Sequence, residues 1–466
     1  MKVTRIANIG AAVLMLHTVG LSRATLAGTD WMPYTFTTLA GVAGKSGGAD
    51  GTGSVARFSQ PNGVAVDLSG NVYVADVNAS TIRRVTPAGA VTTIVGSPGD
   101  SLILSGTDPP TLGDGTNKEA RFAFPQGVAV DASGNLYVAD TSNYRIRKVT
   151  PMGTNWVVTT IAGFGGITGS TDGTNFDALF YVPDGLAVDG SGNVYVADLG
   201  NYVIRKIAPV GSNWVVSTIA GLPGNCGYAD GTNSDARFCY VYNIAVDASN
   251  NVYVADENNQ TIRKIAPVGT NWVVSTVAGR ALFGGNADGT NSDARFQDPF
   301  GVAVDSSGNV YVADTSNSRI RKIKAAGTNN IVTTLAGGGA GSADGTSSGA
   351  QFNGPSDVAV DGSGNVYVSD TGNNTIRKGW PFGSRGKAGI PGISQVSVGT
   401  GGQVFVRFPS FEGSMNQLQI TGSLSPSSWT NYGPPFAGIR GTLIYTNTGG
   451  VNDGAAQFYR IQITTP

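Results

Sequence analysis

The stretch Val302–Lys322 reads VAVDSSGNVYVADTSNSRIRK and returns, with few changes, five more times along the chain. The other copies are Val64–Arg84, Val128–Lys148, Leu186–Lys206, Ile244–Lys264 and Val358–Lys378. The first aspartate of each copy follows that of the previous copy by 56 to 64 residues. Self-similarity at a nearly fixed period of this size indicates a propeller or another array of supersecondary units.

Each copy predicts the same four short strands. VAVD alternates valine with a small residue and ends at a turn of the type x-Ser-Gly-Asn, whose residues tolerate a positive φ. VYVAD is a second alternating run, IRK begins a third strand, and a fourth lies near Val157–Ala162 in the second copy. Four antiparallel strands per repeat are the unit of a propeller blade, so six copies predict an all-β, six-bladed β-propeller.

The two ends of the repeat array predict how the ring closes. The first five copies carry a fourth strand, whereas the sixth stops after Thr375–Lys378. A matching strand, Phe36–Gly41, stands before the first copy instead. We therefore expect the N-terminal strand to complete the sixth blade, which would leave no open sheet edge in the ring.

A second phrase, typified by ADGTNSDARF, recurs between the blades. Its six copies are residues 49–58, 113–122, 171–180, 229–238, 287–296 and 343–352. Asp-Gly predicts a turn, and the final phenylalanine is expected to fill the core between blades. Three aspartates recur in every repeat, and we expect them to cap turns or pair with the repeated Arg-Lys. A calcium loop usually offers several oxygen-bearing side chains, and each Ser-Gly-Asn turn offers one carboxylate.

The series P-x-G-V-A-V-D, G-N-V-Y-V-A-D and N-x-x-I-R-K, repeated over Phe36–Lys378, resembles the NHL-repeat proteins. This resemblance implies a six-bladed propeller of the secreted bacterial type. It implies no single function, because NHL propellers include protein and RNA scaffolds, receptor sensor domains and a peptide-amidating lyase.

Composition narrows the class of protein. Glycine occupies 68 positions and proline 21, and aspartate outnumbers glutamate 28 to 3. Aspartate favours turns and glutamate favours helices, so the balance disfavours a helical protein. The formal net charge of −1 gives no reason to expect nucleic acid as a partner.

Residues 1–27 read as a signal peptide. Lys2 and Arg5 precede an interrupted apolar run, and small residues follow up to Ala27. Cleavage is expected after Ala27, with Ala24 as the second choice, and an uncleaved membrane anchor is the alternative. The mature chain is then expected to be secreted, periplasmic or held at the cell surface, with no integral membrane span. Cleavage would also remove His17, the only histidine.

The rest of the chain divides in three. Residues 28–380 are expected to form the propeller, 381–392 a Gly/Pro linker, and 393–466 a small β-sandwich-like accessory domain. Cys226 and Cys239 are the two cysteines and flank the Asp-Gly phrase before the fourth blade. In an exported chain we expect them to form a disulfide, with two buried thiols as the alternative.

Departures from the repeat point to a binding site. The residue between proline and glycine before each inner strand is expected at one mouth of the axial channel. These six residues are Asn62, Gln126, Asp184, Tyr242, Phe300 and Ser356. The turns after the second strands add Tyr144, Arg145 and Tyr202, with Leu199 and Glu257 nearby. Such a mixture suits a sugar ring or a peptide, and ordinary variable loop surface is the alternative.

An insert after the first blade, Ser97–Leu112, is a second candidate contact. Its apolar run Leu102–Leu104 is expected to be exposed on a flexible segment.

The function expected from these residues is binding or scaffolding outside the cytoplasm. The ligand would be a glycan, peptide or protein, and the chain is expected to be monomeric. A propeller lyase or hydrolase, or a structural part of a surface assembly, is the alternative. NHL-type lyases use a histidine-bound metal, and gluconolactonase-like hydrolases usually include a glutamate ligand. Without histidine, and with Glu119, Glu257 and Glu412 at unrelated places, we predict no catalytic residue, metal or cofactor.

Overall fold

A computed structural model describes residues 33–381 and seven strand segments between residues 395 and 464. The predicted signal peptide lies outside the described residues, as does the linker beyond residue 381. Residues 33–381 form six five-stranded antiparallel sheets, each with an inner, second, third and outer strand and a two-residue edge strand. The inner strands of successive blades contact one another, and that of blade six contacts that of blade one. The six-bladed prediction is confirmed.

The strand bounds repeat closely from blade to blade. In the order inner to outer and then edge, blade one contains Pro61–Val66, Val72–Asp76, Thr81–Val85, Ala90–Val95 and Gly51–Thr52. Blade two contains Val128–Val130, Leu136–Asp140, Arg145–Met152, Asn155–Ala162 and Gly115–Thr116. Blade three contains Pro183–Val188, Val194–Asp198, Val203–Val210, Asn213–Ala220 and Gly173–Thr174.

The remaining three blades follow the same order. Blade four contains Val241–Val246, Val252–Asp256, Thr261–Val268, Asn271–Gly279 and Gly231–Thr232. Blade five contains Pro299–Val304, Val310–Asp314, Arg319–Ala326, Asn329–Ala336 and Gly289–Thr290. Blade six contains Pro355–Val360, Val366–Asp370, Thr375–Pro381, Tyr34–Gly41 and Gly345–Thr346.

Short 3-10 turns are the only helical segments among the described residues. Six follow the edge strands: Gly53–Val55, Asn117–Glu119, Asn175–Asp177, Asn233–Asp235, Asn291–Asp293 and Ser347–Gly349. Four follow second strands: Thr141–Asn143, Leu199–Asn201, Thr315–Asn317 and Thr371–Asn373. No described helix is long and apolar enough to span a bilayer.

The N-terminal strand closes the ring as predicted, although it begins two residues earlier, at Tyr34. Tyr34–Gly41 is the outer strand of blade six, between its third strand and its edge strand. Phe36 is fully buried, and its ring meets Phe352 edge-on at a centroid distance of 5.2 Å. The two ends of the propeller are thus joined through one sheet and one packed core.

A buried arginine holds each blade to the loop that precedes it. In blade four, Arg263 donates to Asp256 at 2.7 Å and to Asp230 at 2.6 Å. Its guanidinium lies 5.2 Å from the centre of the Phe238 ring. Equivalent, fully buried arginines stand in all six blades: Arg83, Arg147, Arg205, Arg263, Arg321 and Arg377. The expected pairing of two aspartate positions with the Arg-Lys phrase is confirmed.

The third repeated aspartate caps a turn, again as expected. The Asp67 carboxylate accepts hydrogen bonds from the backbone N–H groups of Ser69 and Asn71 at 2.9 and 2.8 Å, and from the Asn71 side chain at 2.8 Å. The phenylalanines that end the Asp-Gly phrase are fully buried in every blade, which confirms their place in the core. They are Phe58, Phe122, Phe180, Phe238, Phe296 and Phe352.

The C-terminal strands form two sheets. Gln395–Val398, Val404–Ser410 and Gly441–Asn447 make an antiparallel three-stranded sheet. In the second sheet Met415–Thr421 pairs with Thr430–Asn431, Phe436–Ala437 and Phe458–Thr464. This segment therefore contains strands, as a β-sandwich-like domain requires, and its sandwich arrangement stays a prediction.

Ring closure makes Phe36 a stability determinant. We expect Phe36→Ala to lower the free energy of unfolding by about 3–5 kcal/mol, because it removes a buried ring from the sheet that joins the two ends of the propeller. Urea unfolding followed by circular dichroism measures the change. Leu68→Ala, at a side chain 92% exposed, is the matched control and should shift stability by less than about 0.5 kcal/mol. Equal, small shifts in both variants would contradict closure through this strand.

The buried arginine gives a second stability test. Arg263→Met leaves the buried Asp256 without its cation, so we expect a loss of about 3–5 kcal/mol in urea unfolding. Lys264→Met removes the same charge from the adjacent, half-buried position, and we expect a loss below about 1 kcal/mol. If the two variants unfolded alike, the bridge to the two aspartates would not be the interaction that holds the blade.

Candidate functional site

One end of the ring brings the six predicted channel residues together. Five of them are the second residue of an inner strand, and Gln126 lies two residues before one. All six line one cavity of ≈ 10 Å³, about the size of a single water molecule. Antiparallel pairing places the turns after the second strands at this same end. We call this end of the ring the mouth face. The placement of the six residues is as expected, and their role in binding stays a prediction.

The scaffold positions these loops through the second-strand aspartates. Asp256 uses one carboxylate oxygen for Arg263 and the other to accept the Cys239 N–H at 2.9 Å. Cys239 lies three residues before Tyr242, so the buried ion pair also sets the path of the mouth loop. The equivalent N–H groups in blades one and three, of Ser59 and Tyr181, bond their own aspartates in the same way.

Two residues that replace glycine form the floor of the mouth. Four blades have glycine directly before the inner-strand valine or leucine, whereas blade four has Asn243 and blade six has Asp357. The Asn243 amide donates to Asp357 at 2.6 Å, linking two blades that are not neighbours. The intervening Gly301 permits this contact, since a Cβ there would lie 2.5 Å from the Asp357 Cα. Asp357 also accepts the Val64 N–H at 2.8 Å.

The pattern Pro-x-Gly, taken above to precede every inner strand, does not hold at Asn243 or at Asp357. The signal was present in the sequence: among the six equivalent positions, 243 and 357 are the two without glycine. Below this floor the channel continues as a cavity of ≈ 180 Å³ lined by the valines and alanines of the inner strands, with Asn243 at its border.

Asp184 is a second carboxylate at the floor and has a different environment. Its side chain is 8% exposed, and no hydrogen bond to its carboxylate is found within residues 33–381. Burial, together with the nearby Asp357, raises the pKa of Asp184 to about 8. Burial also raises the pKa of Asp357 to about 7, against the opposing hydrogen bonds that Asp357 accepts. Asp184 is therefore a buried acid without a counter-ion.

Aromatic rings form the wall of the mouth. Tyr242 and Phe300, both half-buried, stack at a centroid distance of 4.1 Å with an interplanar angle of 14°. Farther out, Tyr202 meets Tyr240 edge-on at 5.4 Å. A third pair, Tyr144 and Tyr181, lies at 6.2 Å. Aromatic groups from blades two to five thus converge on the mouth face, with Tyr181 44% and Tyr240 41% exposed.

Acidic groups surround this aromatic wall. Burial raises the pKa of Glu257 to about 7, and the charges of Asp298 and Asp256 add to the shift. Burial and the carboxylates of Asp184, Glu257 and Asp298, together with the neighbouring Tyr240, raise the pKa of Tyr242 to about 12. Burial alone would raise the pKa of Asp298, but hydrogen bonds from Ser316, Gln260 and Gln297 lower it. The mouth near Tyr242 is therefore lined by acids, of which Asp298 has the lowered pKa that keeps it ionised at neutral pH.

Arg145 does not reach the mouth surface. Its guanidinium is fully buried, donates to Asp140 at 2.9 Å and donates to the carbonyl oxygens of Pro110 and Leu112 at 3.1 and 2.9 Å. Arg145 thus anchors the blade-one insert instead of facing a ligand. The insert itself is less exposed than expected, since Leu104 is 5% exposed and Ile103 is 65% exposed.

The predicted disulfide is confirmed. Cys226 and Cys239 are bonded, with their Cα atoms 4.6 Å apart. Cys239 directly precedes Tyr240, and blade four has Val241 where the other blades have proline. The bridge therefore braces the one mouth loop that lacks the conformational restriction of proline. Within the described residues no group of three or more His, Cys, Asp or Glu side chains could hold a metal ion.

The buried Asp184 predicts a pH-dependent gain on substitution. Its pKa is about 8 in the folded chain and near 3.8 when unfolded. The folded state therefore loses no stability through Asp184 below about pH 4, and it loses stability progressively as the pH rises towards 8. Asp184→Asn has no such loss. We expect its advantage over the parent chain in urea unfolding to be larger at pH 8 than at pH 5. Asp235→Asn, at an exposed position, should show no such trend. An Asp184→Asn advantage independent of pH would contradict the burial of an uncompensated acid.

Two family models match the propeller. The model described as teneurin NHL domain matches residues 157–340. The model described as NHL repeat matches residues 58–84, 122–149 and 352–378. Together they fall on the blades whose strands and loops are described above.

Relatives match about a third to two thirds of the chain. Protein SUPPRESSOR OF QUENCHING 1, chloroplastic, of Arabidopsis thaliana is 28% identical over 348 residues, which cover 68% of this chain and 30% of that protein. NHL repeat-containing protein 2 of Homo sapiens is 35% identical over 158 residues, covering 32% of this chain and 21% of that protein. Teneurin-4 of Mus musculus is 28% identical over 293 residues, covering 55% of this chain and 10% of that protein. The chain therefore spans less than a third of the length of these relatives.

Solved structures share the fold. A structural genomics protein of unknown function from Bacteroides thetaiotaomicron gives a TM-score of 0.55 at 23% identity, covering 74% of this chain and 75% of that chain. An auxiliary nutrient binding protein from the same organism gives 0.55 at 16% identity, covering 74% and 76%. At such identities the similarity establishes the propeller architecture, while function depends on the residues grafted onto it.

Proposed function

This chain is an NHL-repeat propeller, and from that premise we propose that it is a binding module whose ligand docks on the mouth face. The ligand is a glycan, peptide or protein segment. The observation that carries the proposal is the meeting of the stacked pair Tyr242–Phe300 with the polar floor of Asp184, Asn243 and Asp357. An aromatic wall beside a few oriented polar groups is the usual composition of a specific ligand site.

The shape of the mouth sets how a ligand would engage it. The enclosed cavity is ≈ 10 Å³, so only a small terminal group could enter it. The remainder of the ligand would lie across the exposed rings of Tyr240 and Tyr181. Tyrosine suits such a surface because its ring offers contact area and its hydroxyl can form hydrogen bonds.

Backbone conformation supports a binding role for the outer tyrosines. Tyr144, Tyr202 and Tyr240 have φ angles of 57°, 60° and 57°. Blade six holds Asn374 and Gly354 at the equivalent positions, with φ of 55° at both. Asparagine and glycine suit this left-handed conformation, whereas a bulky side chain there costs on the order of 1 kcal/mol. The same positions in other blades hold residues as different as Gln60, Phe124 and Val182. The turn therefore does not require tyrosine, and we assign the three tyrosines to ligand contact.

The proposed location is outside the cytoplasm, in the periplasm, at the cell surface or in the medium. The Cys226–Cys239 disulfide supports it, because such bonds persist in oxidising compartments. An auxiliary nutrient binding protein has the same propeller architecture, so this fold is compatible with capturing a ligand.

Removal of the aromatic wall tests the proposal. A binding screen of residues 28–466 against glycans, cell-wall fragments and peptides would identify a ligand, and Tyr242→Ala/Phe300→Ala should weaken its affinity at least about tenfold. The control Met152→Ala/Val268→Ala removes two exposed apolar side chains from the hairpins at the opposite end of the ring and should bind as the parent does.

The outcomes separate the candidate functions. A ligand that binds equally to both double variants would place the site away from the mouth. Mass spectrometry of the ligand after incubation should return it unchanged. Conversion by the parent chain and not by Asp184→Asn would instead favour the lyase or hydrolase alternative, for which Asp184 and Glu257, with their raised pKa values, are the available acids.

A further inference from the structure

Asp184 differs from the other buried acids of the propeller because, within residues 33–381, its carboxylate has neither a cation nor a hydrogen-bond donor as partner. Asp256 is fully buried as well, but it lies 2.7 Å from the guanidinium of Arg263. The same pairing recurs in each blade, with buried aspartate and arginine 2.6 to 2.9 Å apart. Asp184 has no equivalent partner, and no lysine or arginine is among the described residues that line its cavity. A buried carboxylate without a partner is costly unless it stays protonated or a ligand supplies the charge.

The groups around Asp184 suit a positive charge. Tyr242 lines the same cavity and stacks on Phe300, and aromatic faces attract ammonium and guanidinium groups. Glu257 and Asp298 add negative charge beside Tyr242. The floor contributes the Asp357 carboxylate, which the Asn243 amide and the Val64 N–H hold in place.

The cavity volume limits which cationic group can enter. A space of ≈ 10 Å³ holds a group about as large as one water molecule. A primary ammonium at the end of a chain or on a ring has this size, while the planar guanidinium is larger. The carbon atoms next to the ammonium would then lie against the stacked rings.

We propose that the mouth recognises a primary ammonium group, which enters the cavity beside Asp184 while its carbon skeleton packs on Tyr242 and Phe300. This inference rests on the proposed binding function and specifies the chemistry of its ligand. Two sources carry that chemistry, an amino sugar and a lysine side chain. On binding, Asp184 gives its proton to the solvent and becomes the carboxylate that pairs with the ammonium.

Matched charged and neutral probes test the inference by calorimetry. The sugar arm compares the tetramer of glucosamine with the tetramer of N-acetylglucosamine at pH 6.5. The lysine arm compares N-acetyl-lysine methylamide with its Nε-acetylated counterpart. We expect the charged member of at least one pair to bind at least tenfold more tightly than the neutral one, and the arm with the higher affinity identifies the source.

Two variants test which residue distinguishes the charged probe from the neutral one. Asp184→Asn should abolish the preference for the charged probe, while Asp235→Asn, which removes the same charge from an exposed turn, should retain it. Circular dichroism and the melting temperature establish that both variants are folded. Persistence of the preference in Asp184→Asn would overturn the inference, because it would then reflect general surface charge.

Proton release on binding, and the change of affinity with pH, give two further tests. Titration of the parent chain with the lysine probe at pH 7, in buffers of different ionisation enthalpy, should show release of protons that Asp184→Asn does not show. Affinity for the lysine probe should rise from pH 5.5 to pH 8.5, because the acids near the cavity ionise while a lysine ammonium stays charged. Those acids are Asp184 and Glu257, which face Asp357, Asp256, Asp298 and Tyr242.

The remaining outcomes distinguish failure of this inference from failure of the binding function. Neutral probes that bind as tightly as charged ones, and lose affinity in Tyr242→Ala/Phe300→Ala, would overturn the ammonium assignment and leave the mouth as a binding site. Micromolar calcium that stabilises the parent chain and not Asp184→Asn would overturn it in favour of a metal ion. Absence of binding by all four probes would overturn it while the broader ligand screen could still succeed.

Discussion

The buried guanidinium in the third strand of each blade is the constraint on which the rest of the structure depends. An arginine removed from water needs its charge and its donors satisfied, so each one requires a carboxylate from the second strand and another from the Asp-Gly loop. Arg263 also donates to the carbonyl oxygens of Arg237 and Ala229 at 3.1 and 3.0 Å. One side chain therefore joins the sheet to the loop that arrives from the preceding blade, and it does so in every repeat.

The same ion pair prepares the mouth face. The second oxygen of each second-strand aspartate holds a backbone N–H shortly before the inner strand begins, as Asp256 holds Cys239. Loops held in this way can carry different side chains while their backbone conformation stays the same. This explains why Gln126, Asp184, Tyr242 and the equivalent residues differ while their backbone follows one path. It also explains why left-handed tyrosines are tolerated there, since the surrounding contacts fix the turn.

The sequence predicts most of the fold because the fold is made of local, repeated contacts. Strand alternation and turn residues are visible within one period, and the displaced strand at Phe36–Gly41 is visible when the two ends of the repeat array are compared. The ring of six mouth residues follows from the same register. The Asn243–Asp357 contact was missed because it joins residues 114 positions apart across the channel. Arg145 was misplaced because the loop that buries it is an insert present in one blade.

The buried aspartates that pair with an arginine stabilise the fold, whereas the unpaired Asp184 does not. Those of the Asp256 type lie beside arginines that the repeat itself supplies, so their charge is neutralised inside the scaffold. Asp184 occupies a position that varies between blades, lies opposite Asp357 and meets aromatic rings in place of a cation. Folding alone would favour an apolar or amide side chain there, because a solitary buried acid destabilises the native state above its unfolded pKa. Above that pKa the destabilisation would be relieved when a group from outside the chain brings the missing charge, which is the role proposed above for the ammonium group of the ligand.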